Sequence, residues 1–219
     1  TIWITFAGTV GHVIIASMAA YPLAKHKFPG STIIFSMVVY SLMFAAQVTA
    51  TPRYIIFSIA GLIDRQLAII VPAFAYSLGL YLMKQFMQDI PTELIESAKM
   101  DGAGEFRTLW SIVLPMAKPI IATLGLFVSL NYWNDWQNGL YYITDDKMYS
   151  PQVLLNRMLL DSMYAQQGLS KTANSIGAAA PSATLKMAIA ALGTLPVLII
   201  FPFVSKYLTG GIVVGAVKG

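Results

Sequence analysis

The chain has 219 residues, of which 57% are hydrophobic and only 11% charged, with no cysteine and a formal net charge of +4. Ordinary soluble domains carry about a quarter charged residues, so this composition reads as a chain that spends most of its length in lipid. The lack of cysteine excludes disulfides and thiol chemistry, and the basic residues are too scattered to form a nucleic-acid surface.

Five stretches contain no Asp, Glu, Lys or Arg: residues 1–24, 28–52, 67–83, 119–134 and 187–204. A hydrocarbon core about 30 Å thick takes roughly 20 apolar residues as a helix, with about 17 at the short end. The chain therefore reads as an all-α polytopic membrane protein with five transmembrane helices. The first ends at Tyr21-Pro22 and is followed by the basic turn Lys25-His26-Lys27; it is too long, and wrongly flanked, for a signal peptide. Phe28-Pro29-Gly30 leads into a second span at about 31–51. Residues 54–64 suggest a short interfacial helix ending in Asp64-Arg65, and the third span covers about 66–86. A polar segment follows, then a fourth span at 119–136, a long polar loop with a Gly/Ala/Ser-rich tract at 175–183, and a last span at about 184–207. Placing Lys25 and Lys27 in the cytoplasm puts eight basic residues inside and six outside, in agreement with the positive-inside rule.

The polar segment, residues 91–119, is the most informative. It holds four of the ten acidic residues, Glu93, Glu96, Asp101 and Glu105, together with Lys99, Arg107 and Lys118. Its apolar residues still repeat at helical spacing: Leu94, Ile95 and Ala98 on one face, and Phe106, Leu109, Trp110 and Val113 on another. Pro91 suits the first turn of one helix and Gly102 its end. The expectation is a helix–turn–helix on the water side, shaped to meet a soluble partner.

Glu96-Ser97-Ala98, Asp101-Gly102-Ala103 and Ile112-Val113-Leu114-Pro115 resemble, in sequence and spacing, the EAA signature of ABC importer permeases, with Ser97 in place of the usual alanine. The W-N-D-W at 133–136 and the G-A-V-K-G at 215–219 are similar to the carbohydrate-uptake, maltose-type branch. The resemblance runs along the whole chain. It implies a type I importer permease fold over 1–219, a cytoplasmic coupling-helix segment at 87–118 and an extracytoplasmic loop at 137–183. It also implies one more helix upstream, six in all, and a multi-pass place in a bacterial or archaeal cytoplasmic (inner) membrane. Glu96, Ser97, Ala98, Asp101, Gly102 and Ala103 would dock on an ATPase subunit, with Glu96 offered to a basic group and Gly102 allowing the tight turn. The implied partners are a second permease, two copies of a cytoplasmic ATPase and an extracytoplasmic solute-binding protein that meets the 137–182 loop, all around a lipid-embedded core.

The residues themselves suggest no enzyme. His12 and His26 are far apart and lack a nucleophile, no metal-ligand cluster is apparent, and the phosphate loop G-x-x-x-x-G-K-[ST] is missing. No cofactor is expected on this chain, with ATP and Mg on the partner ATPase. His12, mid-span, reads as a helix–helix hydrogen bond in preference to a proton relay. Asn131, Asn134 and Asp135 are candidates for the transport path because polar groups at membrane depth face a bundle interior or water. Trp133, with Trp136, could stack on a sugar ring or anchor the interface; Gln47 and Tyr76 are further path candidates. Rival readings are an ABC permease for a non-sugar solute, an ion-coupled secondary transporter and a membrane scaffold. The secondary transporter would call for intramembrane carboxylates or paired broken helices, and the scaffold leaves the helix pair unexplained.

Overall fold

In the computed structural model the described residues are 1–45, 47–166, 184, 187–188, 190–199 and 202. They form helices and turns, with no strand among them. The central rod is α1 (Ile2–Lys25), which carries no charge until its last residue. After it come α2 (Ser31–Ser41), α3 (Ala50–Ile59), α4 (Leu67–Phe74) and α5 (Ser77–Asp89). The polar segment forms α6 (Thr92–Met100) and α7 (Glu105–Met116). Then follow α8 (Lys118–Trp133), α9 (Gln137–Tyr142), α10 (Pro151–Gln166) and α11 (Ala190–Ile199).

α1 packs against α4, α5 and α8. Helices in lipid associate by close fit, since lipid tails are as apolar as leucine, and small residues let them approach. Gly8 lies under the ring of Tyr132, and Gly79 lies under the imidazole of His12; a Cβ at either would clash with those rings. At the far end of α1, Ala20 and Tyr21 join Met83, Met87, Ile90, Ile95, Leu109, Val113, Ala117, Ile120 and Leu124 in one buried cluster. That cluster ties α6 and α7 onto the rod. α2 leans on α5 through the Phe35–Tyr81 ring stack, the Lys84 ammonium 4.0 Å from the Phe35 ring centre, and a 2.6 Å Ser41–Ser77 hydroxyl hydrogen bond.

Among the described residues two apolar stretches are long enough to cross a bilayer, α1 with 24 residues and Leu67–Asp89 with 23, and the bent pair α7–α8 makes a third if it is one span. The expected second span is not one helix: α2 stops at Ser41, turns follow, and α3 begins at Ala50. Pro52 explains the restart, because its ring disfavours helical backbone at Thr51 except where a helix is beginning. The short helix expected at 54–64 accordingly lies at Ala50–Ile59. The third span is interrupted at Ala75 and extended Tyr76, where α4 ends and α5 starts. His12 fills the gap: its Nδ1 lies 3.1 Å from the carbonyl oxygen of Ala73 and 3.2 Å from that of Phe74. The helix–helix hydrogen bond expected of His12 is present.

α7 and α8 meet at 80° across Ala117. Residues 109–113 of α7 form a π turn in which the Leu114 amide donates to the Leu109 carbonyl. Pro115 has no amide with which to continue the α register, and a second proline, Pro119, stands in the first turn of α8. The I-x-L-P stretch thus reads structurally as a widened turn followed by an elbow. The 137–182 stretch, expected as loop, contains α9 and α10; residues 167–182 lie outside the described residues, as do 203–219 with the G-A-V-K-G tail.

Candidate functional site

α6 begins after Pro91, carries Glu93 in its first turn and Lys99 in its last, and so opposes its own dipole with charge at both ends. Ile95 and Ala98, three residues apart, are buried, and Ile95 packs in the cluster that holds Ala20 and Tyr21 of α1 and Leu109 and Val113 of α7. Leu94, expected on the packed face, is instead 42% exposed, and Phe106 and Trp110 on α7 are exposed while Leu109 and Val113 are buried. The helix ends in a Schellman cap: the Gly102 amide donates to Lys99 at 3.0 Å and the Ala103 amide to Ala98 at 2.9 Å. Gly102 has φ +78, the left-handed region where glycine is favoured. Three of the six candidate residues, Ala98, Gly102 and Ala103, therefore build the cap, and Asp101 is its last helical-side residue. Glu96 and Ser97 are left exposed on the open face, beside Leu94 and Met100.

Glu105 lies just beyond the cap. It accepts the Tyr21 hydroxyl at 2.8 Å and the Lys99 ammonium at 2.6 Å, and its Oε2 lies 3.3 Å from Nε2 of His26. The Lys99 hydrogen bond, helped by Tyr21 and His26 and opposed by partial burial, holds this carboxyl below its ordinary range. No periodicity or motif singled Glu105 out, because two of its three partners, Tyr21 and His26, come from a segment some eighty residues earlier.

Nearer the other end of α1 is an open cleft of about 510 Å³ lined by Tyr76, Leu78, Phe127, Leu130, Asn131, Asn134, Asp135, Trp136 and Gln137. The interruption between α4 and α5 brings Tyr76 to it, and the i, i+3 spacing on α8 presents Asn131 and Asn134 together. Asp135 is committed locally, its two oxygens accepting the Asn138 amide at 3.0 Å and the Asn138 side chain at 2.7 Å. Among the described residues the lining carries one carboxylate and no cation. Trp136 reaches this cleft, whereas Trp133 lines a separate apolar groove with Ile2, Phe6 and Val197 and donates to the Gly193 carbonyl at 2.7 Å. Gln47 is exposed in the turns between α2 and α3 and is not part of the cleft lining. From Tyr21, level with Glu105, to Gly8, level with Tyr132, α1 rises about 20 Å.

Beyond the cleft, Asp64 takes a left-handed conformation at φ 59 and ties the segment after α9 to the segment before α4. Its carboxylate accepts the Thr144 amide at 2.5 Å and the Thr144 hydroxyl at 2.6 Å, and these hold its acid below the usual carboxylate range. Among the described residues no group of acidic and histidine side chains could hold a metal ion.

The chain is 34% identical over 220 residues to Protein LplC of Bacillus subtilis (strain 168), covering 100% of this chain and 72% of that protein. It is 32% identical over 219 residues to the polygalacturonan/rhamnogalacturonan transport system permease protein YtcP of the same organism, covering 100% and 75%. The crystal structure of a bacterial ABC transporter involved in the import of the acidic polysaccharide alginate contains a chain with the same fold, at TM-score 0.67 and 23% identity, over 94% of this chain and 74% of that one. Residues 12–214 match one family, and this chain belongs to it: the inner membrane components of binding-protein-dependent transport systems.

Proposed function

We propose that the chain is a permease subunit of an ATP-driven importer of neutral oligosaccharides, crossing the cytoplasmic (inner) membrane five times and forming half of the path. The observation that carries the reading is the placement of two unlike surfaces along one rod. At one end of α1 a capped helix offers Glu96, Ser97, Leu94 and Met100 outward; about 20 Å along, an open cleft presents amides and aromatic faces. Amides match hydroxyl-rich ligands, and Trp136 and Tyr76 match the C–H face of a pyranose. In this reading α6 docks in a cytoplasmic ATPase, present in two copies and holding ATP and Mg. A second, related permease supplies the other wall, and a solute-binding protein delivers the sugar to the side that bears α9 and α10. Closure of the ATPases pushes α6 and reverses the access of the cleft.

YtcP, named for an acidic polysaccharide, favours a second reading in which the cargo bears uronates. The cleft, with Asp135 and no cation, supports the neutral cargo. In membrane vesicles from the source cell, energised with internal ATP and supplied with the binding protein, removal of this chain should abolish uptake of labelled neutral oligosaccharides. Unlabelled oligogalacturonate should compete poorly. Strong competition by oligogalacturonate would establish the second reading, and uptake unaffected by removal of the chain would overturn both.

A further inference from the structure

Both ends of α6 are fastened to the last turn of α1. Before its start, the Lys25 ammonium donates to the carbonyl oxygens of Gln88 and Ile90, which close α5 immediately ahead of Pro91. Beyond its end, one Glu105 oxygen takes the Tyr21 hydroxyl at 2.8 Å and lies 3.3 Å from His26, while the other takes Lys99, on α6 itself, at 2.6 Å. Tyr21 is only 4% exposed and is fixed by the buried cluster that also holds Ile95 of α6. By contrast the backbone between α6 and α7, though tied to α6 by the cap bonds of Gly102 and Ala103, has no side-chain packing at its two glycines. It runs through Gly102 and Gly104, both exposed, with open space where a side chain would stand. A displacement of α6 would be absorbed in that glycine turn unless side chains bridge it.

We propose that Glu105 is a positioning residue that bridges the turn and makes α6 and α1 move as one body. Work delivered to α6 then arrives at the opposite end of α1, where Gly8 and Gly11 bear on Tyr132 and Phe74 beside the cleft. The proposal rests on the reading of α6 as the helix that meets the ATPase. A half-exposed ion pair adds little to folding, so the consequence of removing it is a change of motion and not of assembly. Charge-assisted bonds from two segments to one carboxylate fix direction as well as distance.

The native chain lacks cysteine, so pairs of spin labels can be placed without background. In the purified complex with its own ATPase subunits, one pair joins Thr92→Cys at the start of α6 to Phe6→Cys near the start of α1; both positions are exposed and neither belongs to the proposed docking face. A second pair joins Thr92→Cys to Leu159→Cys on α10. Between the nucleotide-free state and the ATP state trapped with vanadate, the first distance should hold while the second shifts. Introducing Glu105→Ala, or Tyr21→Phe with His26→Ala, should make the first distance shift and broaden, with the ATPase still copurifying. A shift of the first pair in the unmodified complex, or a first pair that stays fixed in Glu105→Ala, would overturn the proposal alone. If neither distance changes with nucleotide, the reading of α6 as the driven element falls, and the proposal with it.

Discussion

Gly102 serves the backbone before it serves any partner. At φ +78 a residue with a Cβ is strained by about 1 to 2 kcal/mol, so Gly102→Ala should loosen the cap by that amount. Gly102→Pro is a harsher change: the ring cannot take a positive φ, and the amide that donates to Lys99 is lost. Proline there is therefore expected to disrupt the helix pair itself, and it does not separate coupling from folding. Glu96 does separate them, because its side chain is exposed and takes no part in the cap. Glu96→Lys should leave membrane insertion and thermal unfolding unchanged and lower recovery of the ATPase in copurification. Equal recovery would place the contact elsewhere on α6. The motif was legible in the sequence as a turn between two helices. Its division into cap residues and exposed residues was not, since both duties use the same small and acidic residue types.

The interrupted and bent helices show where element-level reading succeeds and where it stops. Uncharged runs located the apolar segments well, because charge in lipid is costly wherever it falls. They could not show breaks, because a break needs only a donor for the freed carbonyls, and that donor sits on another helix. His12 is such a donor for Ala73 and Phe74, and its ring also meets Tyr76 edge-on at 5.8 Å. Asparagine places an amide nitrogen near the position of Nδ1, glutamine near that of Nε2, and leucine offers no donor. His12→Leu should therefore straighten or loosen the α4–α5 junction and slow uptake, with partial rescue in His12→Asn and less in His12→Gln. Identical uptake in all three would show that the interruption holds without the imidazole. Similarly, Pro115 and Pro119 were visible in the sequence, but the 80° elbow between them depends on how α7 packs on Tyr21 and Ile90.

Across the whole molecule, the order of polar and apolar stretches was enough to separate the proposed docking end from the proposed path end. The distance between them follows from one straight helix, α1. The first part of the long polar stretch was less legible. α9 and α10 are short or weakly amphipathic, and what fixes them is tertiary: Val153 packed on Gly139, and the segment at Thr144 held by Asp64. Asp64 is eighty residues from its partner, beyond the reach of any local pattern.

The elbow at Ala117 has a further consequence for the lipid. In the proposed five-span reading, α7 turns aside and α8 makes the fourth crossing alone, and its 16 residues measure only about 24 Å. That is short of a hydrocarbon layer about 30 Å thick, so the bilayer must thin around α8 or the helix must be held upright between its flanking lysine and tryptophans. A short, upright crossing cannot relieve mismatch by tilting. The complex should consequently hydrolyse ATP and transport fastest in vesicles of shorter-chain lipids and slow as acyl chains lengthen from 16 to about 22 carbons. A flat rate across that series would mean that neighbouring helices shield α8 from the lipid. A sloped one would make membrane thickness a physical setting for this transporter's speed.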